Sequence, residues 1–90
     1  MKFSSNDDFY AFVEATQQKL NQEGFIDSAE RLFSILRGGY TTLSEIFGEI
    51  RLTLQAVAKQ NTQRISTALL NDIKIIIDTI DEAFRKANRG

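Results

Sequence analysis

Apolar residues recur along this chain at intervals of three and four positions, the spacing of one face of an α-helix. The pattern is interrupted at Gly24, at Gly38–Gly39 and around 60–62. It predicts a first helix at residues 6–23, a second that ends at Arg37, a third at 43–59 and a fourth at 63–87. Because four helices with short connections pack as antiparallel neighbours, we expect an all-α, four-helix antiparallel up-and-down bundle in one domain, residues 1–90.

Capping residues support the first helix and its end. Ser5 is a good N-cap, and Asp8 places a carboxylate in the first turn, where the helix dipole favours negative charge. Gly24 suits the position just after a helix end, because glycine adopts a left-handed backbone at little cost. These residues predict a very short turn into the second helix.

The stretch GGYTTLSEIFGEIR, residues 38–51, raises the question of whether its glycines serve a ligand or a turn. Gly38–Gly39 directly after Arg37 is typical of a helix stop, and Thr42 with Glu45 is a capping box for the third helix, with Thr41 as the alternative cap. A phosphate-binding loop would need more glycines, a lysine and a preceding strand. We therefore interpret the stretch as a connector.

The start of the fourth helix is the least determined boundary. Gln60-Asn61-Thr62 has the composition of a turn, with Asn61 or Thr62 as the cap of the next helix. A continuous helix that bends at Asn61 is the alternative, because no glycine or proline forces a break there.

Each predicted helix has one apolar face that we expect to enter the core. The faces consist of Phe9, Phe12, Val13, Thr16 and Leu20 in helix 1; Phe25, Ile26, Ala29, Leu32, Phe33 and Leu36 in helix 2; Leu43, Ile46, Phe47, Ile50, Leu54 and Val57 in helix 3; and Ile65, Leu69, Ile73, Ile76, Ile80, Ala83, Phe84 and Ala87 in helix 4.

Several small or apolar residues fall outside these faces. On helix 3, Gly48, Leu52 and Ala56 form a ridge on roughly the opposite side from the core face. On helix 4, Leu70 and Ile77 lie on one flank and Ile75 on the other, and Ile35 lies off the face of helix 2. Helices in a bundle bury one broad face each, so a second apolar ridge predicts contact with another chain. Gly48, Leu52, Ala56, Leu70, Ile75 and Ile77 are the predicted interface residues.

Composition excludes several chemistries. The chain has no cysteine, histidine, proline or tryptophan, which excludes disulfides, thiolate metal sites and histidine-based catalysis. We expect it to fold without metal or disulfide, and we assign no catalytic, cofactor-binding or metal-ligating residue. The net charge of −1 predicts no nucleic-acid partner; the small basic cluster Arg85, Lys86 and Arg89 is what a helix C-terminus attracts.

No segment has the features of membrane targeting. The N-terminus, MKFSSN, is polar almost at once and is not a signal peptide. The most apolar run, 73–80, is interrupted by Lys74 and Asp78 and is too short to span a bilayer. We therefore expect no membrane association and a cytoplasmic location.

Carboxylates supply the alternative function. Paired acids on adjacent helices can hold Mg²⁺, and the candidates are Glu45, Glu49, Asp78, Asp81 and Glu82. They resemble the paired acidic motifs of all-α nucleotide pyrophosphatases, although those motifs are Glu-x-x-Glu and Glu-x-x-Asp. Here the pairs are Glu45-x-x-x-Glu49 and Asp78-x-x-Asp81, and the acids lie away from the apolar faces, so no family is assigned.

The favoured hypothesis is a small non-enzymatic protein–protein interaction module. It would associate with itself as a homodimer or bind a protein partner through helix 3 and a flank of helix 4. The size suits a bacterial immunity protein, antitoxin or adaptor. The alternative is a Mg²⁺-dependent nucleotide or phosphate hydrolase, which requires the acids to converge in one cleft.

Overall fold

The computed structural model describes residues 3–39, 42–60 and 63–88. They form four helices: α1 (Asn6–Gln22), α2 (Ile26–Arg37), α3 (Leu43–Gln60) and α4 (Thr67–Asn88). No residue in these three ranges lies in a β-strand. The predicted all-α class is confirmed, and α1 and α3 begin and end within one residue of the predicted bounds.

The helices form a closed ring in which each packs against two neighbours. The backbones of α1 and α3 each approach those of α2 and α4, and the resulting bundle measures 40 × 25 × 23 Å. Short connections make consecutive helices antiparallel, so the predicted up-and-down topology is confirmed. Across the middle, the rings of Phe9 in α1 and Phe47 in α3 meet edge-on with 5.3 Å between their centroids.

The core contains residues of all four helices and one residue, Phe25 or Ile65, from each of the two connections at one end of the bundle. Thr16 is the buried polar residue of α1, and its hydroxyl donates to the carbonyl of Phe12 at 3.0 Å, which satisfies it inside the core. The buried apolar residues are Phe9, Val13, Leu20, Phe25, Ala29, Leu32, Ile35, Phe47, Ile50, Leu54, Val57, Ile65, Leu69, Ile73, Ile76 and Ile80.

The turn from α1 to α2 follows from Gly24. Its φ is +93°, a region that side chains with a Cβ rarely adopt. The N–H of Phe25 donates to the carbonyl of Leu20 at 2.9 Å, and the N–H of Gly24 to that of Asn21 at 3.2 Å. This pair of bonds is the Schellman motif that ends helices at glycine. The predicted cap at the other end is also confirmed, since Ser5 Oγ accepts from the N–H of Asp8.

The α2–α3 connection is the helix stop that the two glycines predict. Gly38 has φ +110° and ψ −167°, and Gly39 has φ +100°. Thr42 Oγ1 accepts from the N–H of Glu45 at 3.2 Å, while the Glu45 carboxylate accepts from the Thr42 hydroxyl. The Thr42–Glu45 pairing is confirmed, and the alternative cap at Thr41 lies outside the described residues.

The predicted start of α4 at residue 63 is wrong. The helix begins at Thr67, and Ser66 is its cap, because Ser66 Oγ accepts from the N–H of Leu69 at 3.2 Å. The Glu23 carboxylate, at the end of α1, accepts from both the N–H and the hydroxyl of Ser66. In a capping box, a glutamate three residues into the same helix accepts from the N–H of the cap residue. Here Glu23, which directly follows α1, supplies that carboxylate. The predicted caps Asn61 and Thr62 lie outside the described residues.

The predicted apolar face of α2 is also partly wrong. Ile35 is buried with 1% of its surface exposed, whereas Ile26 and Phe33 are each 46% exposed. Residues 29, 32 and 35 and residues 26, 29 and 33 both fit a helical period, so periodicity alone does not choose between them. The packing of α2 between α1 and α3 turns Ile35 inward. Leu43 and Ala87, also predicted in the core, are exposed.

Candidate interaction surface

Helix α3 has two faces with opposite environments. Ile50 and Leu54 point into the bundle and have no exposed surface, whereas 62% of Leu52 is exposed, the largest exposed fraction among the large apolar residues described. Positions two apart on a helix lie about 160° from each other. Leu52 therefore projects away from both core residues, as the sequence predicts.

Gly48 and Ala56 flank Leu52 on the same side of α3. We name the surface formed by Gly48, Leu52 and Ala56 the outer face of α3. Ala56 is exposed and Gly48 is partly exposed. Both lie one turn from Leu52 and carry at most a methyl group, so the leucine is the largest side chain of the three. That shape fits a groove on another helix.

Nothing inside the described protein requires glycine at position 48. Gly48 is in the middle of α3, its φ is not positive, and a Cβ built on it meets no heavy atom within 4 Å. Glycine in a helix interior costs about 1 kcal/mol relative to alanine. Among residues 3–39, 42–60 and 63–88, no close approach depends on Gly48, so this part of one copy of the chain does not explain the glycine.

The three predicted interface residues of α4 divide between two sides of that helix. Leu70 is 37% exposed and Ile77 is partly buried against the core. Both lie on the flank toward α3, where Asp81 pairs with Arg51 of α3 at 2.7 Å. Ile75 follows Asp72 by one turn on the other flank, because Asp72 pairs with Lys19 of α1. Ile75 therefore lies on a different flank of α4 from Leu70 and Ile77.

A second exposed apolar site, which the sequence did not predict, lies between α1 and α2. Phe33 is half exposed, with the guanidinium of Arg37 4.3 Å from its ring centroid. Gln17 and Asn21 of α1 line the same shallow groove. The arginine covers part of the ring and supplies a cation–π contact. Phe33 thus has a neighbour of its own, unlike Leu52, which stands between a glycine and an alanine.

The carboxylates that the magnesium hypothesis requires do not converge. Glu49 pairs with Arg31 at 2.7 Å, Asp81 with Arg51 at 2.7 Å and Glu82 with Lys86 at 3.4 Å. Within residues 3–39, 42–60 and 63–88, no three acidic residues stand close enough together to hold a metal ion. Each paired acid has a cationic neighbour that already neutralises it.

An open groove lies at one end of the bundle. It has a volume of about 380 Å³ and lies between the start of α1 and the end of α4, where Phe3, Phe9 and Phe47 form an apolar wall and the Glu82–Lys86 pair stands at the rim. Binding sites for small molecules are usually concave and carry convergent polar groups. Over the described residues, no buried side-chain polar atom lacks a hydrogen-bond partner, so nothing in the groove points to a ligand.

Among the described residues, Tyr10 has a shifted pKa. Burial raises the pKa of its phenol above 10.0, and the negative charge of Asp7 adds to the effect. Its ring packs beside that of Phe47 of α3, with 6.4 Å between the centroids. The shift reports the packing of the α1–α3 contact and does not mark a reactive group.

Comparison with known proteins leaves the geometry as the basis for a function. No protein-family model matches the chain, and no curated protein or solved structure matches it either. In the described part of the chain, no helix is both long and apolar enough to cross a membrane.

Proposed function

We propose that this chain is a small protein–protein interaction module that binds through the outer face of α3. One observation carries the proposal. The most exposed large apolar side chain described, Leu52 at 62%, lies beside a helical glycine that no contact within the bundle explains. A partner helix would use both features, because Gly48 permits close approach and Leu52 fills the partner's groove.

Burial of Leu52 against a partner would add to the free energy of association. Removing a leucine side chain from water contributes about 1.5–3 kcal/mol, and interfaces concentrate most of their affinity in a few buried anchors. The cost of Gly48 to α3, about 1 kcal/mol, is smaller than that gain. A partner that covers this face would therefore offset the weakness that glycine introduces into the helix.

Sedimentation equilibrium of three proteins tests self-association. These are the wild type, Leu52→Glu and the matched control Phe33→Glu, whose position is also exposed but lies in the groove between α1 and α2. We expect the wild type and Phe33→Glu to associate and Leu52→Glu to stay monomeric. Circular dichroism melting should show that all three are folded.

Capture from a lysate of the source organism tests a foreign partner with the same three proteins as bait. A protein retained by the wild type and by Phe33→Glu, and lost with Leu52→Glu, would use the outer face of α3. If neither self-association nor capture depends on Leu52, the proposed function is wrong.

The magnesium-dependent hydrolase has no observation in its favour. Glu49 and Asp81 lie in separate ion pairs and Glu45 lies in the capping box of α3. No three described acids stand close enough together to hold a metal ion. The immunity, antitoxin and adaptor roles remain hypotheses about the biological setting of the interaction module.

A further inference from the structure

The residues of α3's outer surface are arranged symmetrically about Leu52. Gly48 and Ala56 stand four positions before and after it, and Glu45 and Lys59 stand seven positions before and after it. At about 100° per residue, all five fall within an arc of about 80° centred on Leu52. Such a surface is complementary to itself when a second copy lies antiparallel across it.

The small residues fit that arrangement. A two-fold axis at Leu52 brings the Gly48 end of one helix against the Ala56 end of the other. Neither residue has a side chain larger than a methyl group, so the two helix backbones can approach closely on both sides of the crossing. The two leucines then pack against each other at the centre. The interface uses the same patch on both copies, as two-fold dimers require.

The charges select the antiparallel direction. It places Glu45 of each copy beside Lys59 of the other, whereas a parallel arrangement would place glutamate beside glutamate and lysine beside lysine. Lys59 is exposed and forms no ion pair with any residue the structure describes. Glu45 accepts from the Thr42 hydroxyl, and a carboxylate has further acceptor positions for a lysine.

We infer that the partner of the outer face of α3 is a second copy of this chain, bound antiparallel about a two-fold axis at Leu52. This rests on the proposed function and names its partner. Because each copy contributes one helix face, we expect a buried area below about 1,200 Å², the range of weak and transient association. Measurements should therefore extend to about 1 mM protein.

A charge-exchange experiment tests the geometry. Glu45→Lys leaves lysine at both ends of the face, and Lys59→Glu leaves glutamate at both ends. Each variant alone then has like charges at two symmetric contacts, and we expect association about tenfold weaker than in the wild type. Mixed together, the two variants place lysine beside glutamate at both contacts. Sedimentation velocity should show that the mixture regains wild-type association as a one-to-one heterodimer.

A control pair separates this effect from attraction between oppositely charged proteins. Glu14→Lys and Arg85→Glu make the same changes in net charge at exposed positions of α1 and α4. Each should associate as the wild type does, and mixing them should bring no gain. Glu45→Lys also alters the capping box of α3, but that defect is identical alone and in the mixture, so it cannot produce a gain on mixing.

Cross-linking provides a test that does not depend on charge. The natural chain has no cysteine, so Gly48→Cys and Ala56→Cys each carry one thiol. A short bismaleimide should link Gly48→Cys to Ala56→Cys in a mixture faster than it links either variant to itself. This measurement replaces charge exchange if Glu45→Lys does not fold.

The outcomes separate this inference from the proposed function. A gain on mixing, or preferential Gly48→Cys to Ala56→Cys cross-linking, supports the antiparallel dimer. If self-association depends on Leu52 but neither the gain on mixing nor the preferential cross-linking is seen, the antiparallel geometry is wrong. The outer face of α3 would still be the interaction surface. A wild type that is monomeric up to about 1 mM overturns the second copy as partner, and Leu52-dependent capture of a foreign protein then decides the proposed function.

Discussion

The two faces of α3 are both apolar, yet their environments are opposite. On the inner face, Ile50 and Leu54 have no exposed surface, and α3 packs there between α2 and α4. On the outer face, Leu52 is 62% exposed, and Gly48 and Ala56 beside it are too small to cover it. The type of a single residue does not distinguish these faces, since both Leu52 and Leu54 are leucines. An apolar residue therefore indicates an interface only when the fold leaves it exposed.

The largest expected effect comes from placing a charge on either face. Leu54→Glu should abolish folding at ordinary temperature, because an unpaired carboxylate in the core costs more than about 4 kcal/mol, a large part of the stability of a small domain. Leu52→Glu should change the free energy of unfolding by less than about 0.5 kcal/mol, as exposed substitutions usually do.

Urea denaturation at low micromolar concentration, where a weak dimer is dissociated, measures both values. Similar losses of stability in the two variants would place Leu52 in the core and remove the distinction between the faces.

Glycine substitutions give effects of opposite sign. Gly48→Ala should stabilise the dissociated monomer by about 1 kcal/mol, because alanine favours the helix and its Cβ meets nothing within 4 Å. Gly38→Ala should destabilise it by about 1–3 kcal/mol, because φ +110° with ψ −167° is a conformation almost confined to glycine. Thermal melting of both variants checks the signs. A monomer destabilised by Gly48→Ala would mean that Gly48 serves the bundle itself.

A change far from both faces separates stability from association. Glu23→Ala removes the carboxylate that accepts from the N–H and hydroxyl of Ser66, and we expect it to lower stability by about 1 kcal/mol, as the loss of a helix cap does. Sedimentation of this variant under conditions where it is folded should match that of the wild type. An equal loss of association in Glu23→Ala and Leu52→Glu would show that association follows general stability.

The smallest expected effect is on the ionisation of Tyr10, which packs against the core. The folded state holds the Tyr10 proton more tightly than the unfolded state, because its pKa is raised above 10.0 by burial and then by Asp7. The stability from this group is complete below pH 10 and declines as pH rises through the folded pKa. Absorbance titration of Tyr40→Phe, which leaves Tyr10 as the single tyrosine, should give a midpoint above 10.0. A midpoint at or below that value would contradict the packing of Tyr10 against Phe47.

The sequence predicts most of this architecture because much of the information is local. Ser5, Gly24, Gly38 and the Thr42–Glu45 pair act within a few residues of their own helix ends, so their roles can be read without the fold. The ridge of Gly48, Leu52 and Ala56 is likewise predictable, since the core face of α3 is unambiguous.

Two features were not predictable, because distant parts of the chain decide them. The start of α4 depends on Glu23, which directly follows α1 and completes the cap at Ser66. The inward face of α2 depends on how that helix lies between α1 and α3, since Phe33 and Ile35 both fit its period. The identity of a partner is not encoded in either kind of signal, except where the outer face of α3 is complementary to itself.

Solvent contact of leucine methyl groups measures the central claim most directly. Selectively labelled Leu52 and Leu54 can be compared by nuclear magnetic resonance with a water-soluble gadolinium chelate, which accelerates the relaxation of exposed methyl groups. We expect the Leu54 methyl groups to be protected from the chelate at every protein concentration. Those of Leu52 should be accessible in dilute protein and become protected as the concentration rises toward about 1 mM. A Leu52 methyl that stays fully accessible across that range would contradict the claim that a second copy covers the outer face of α3.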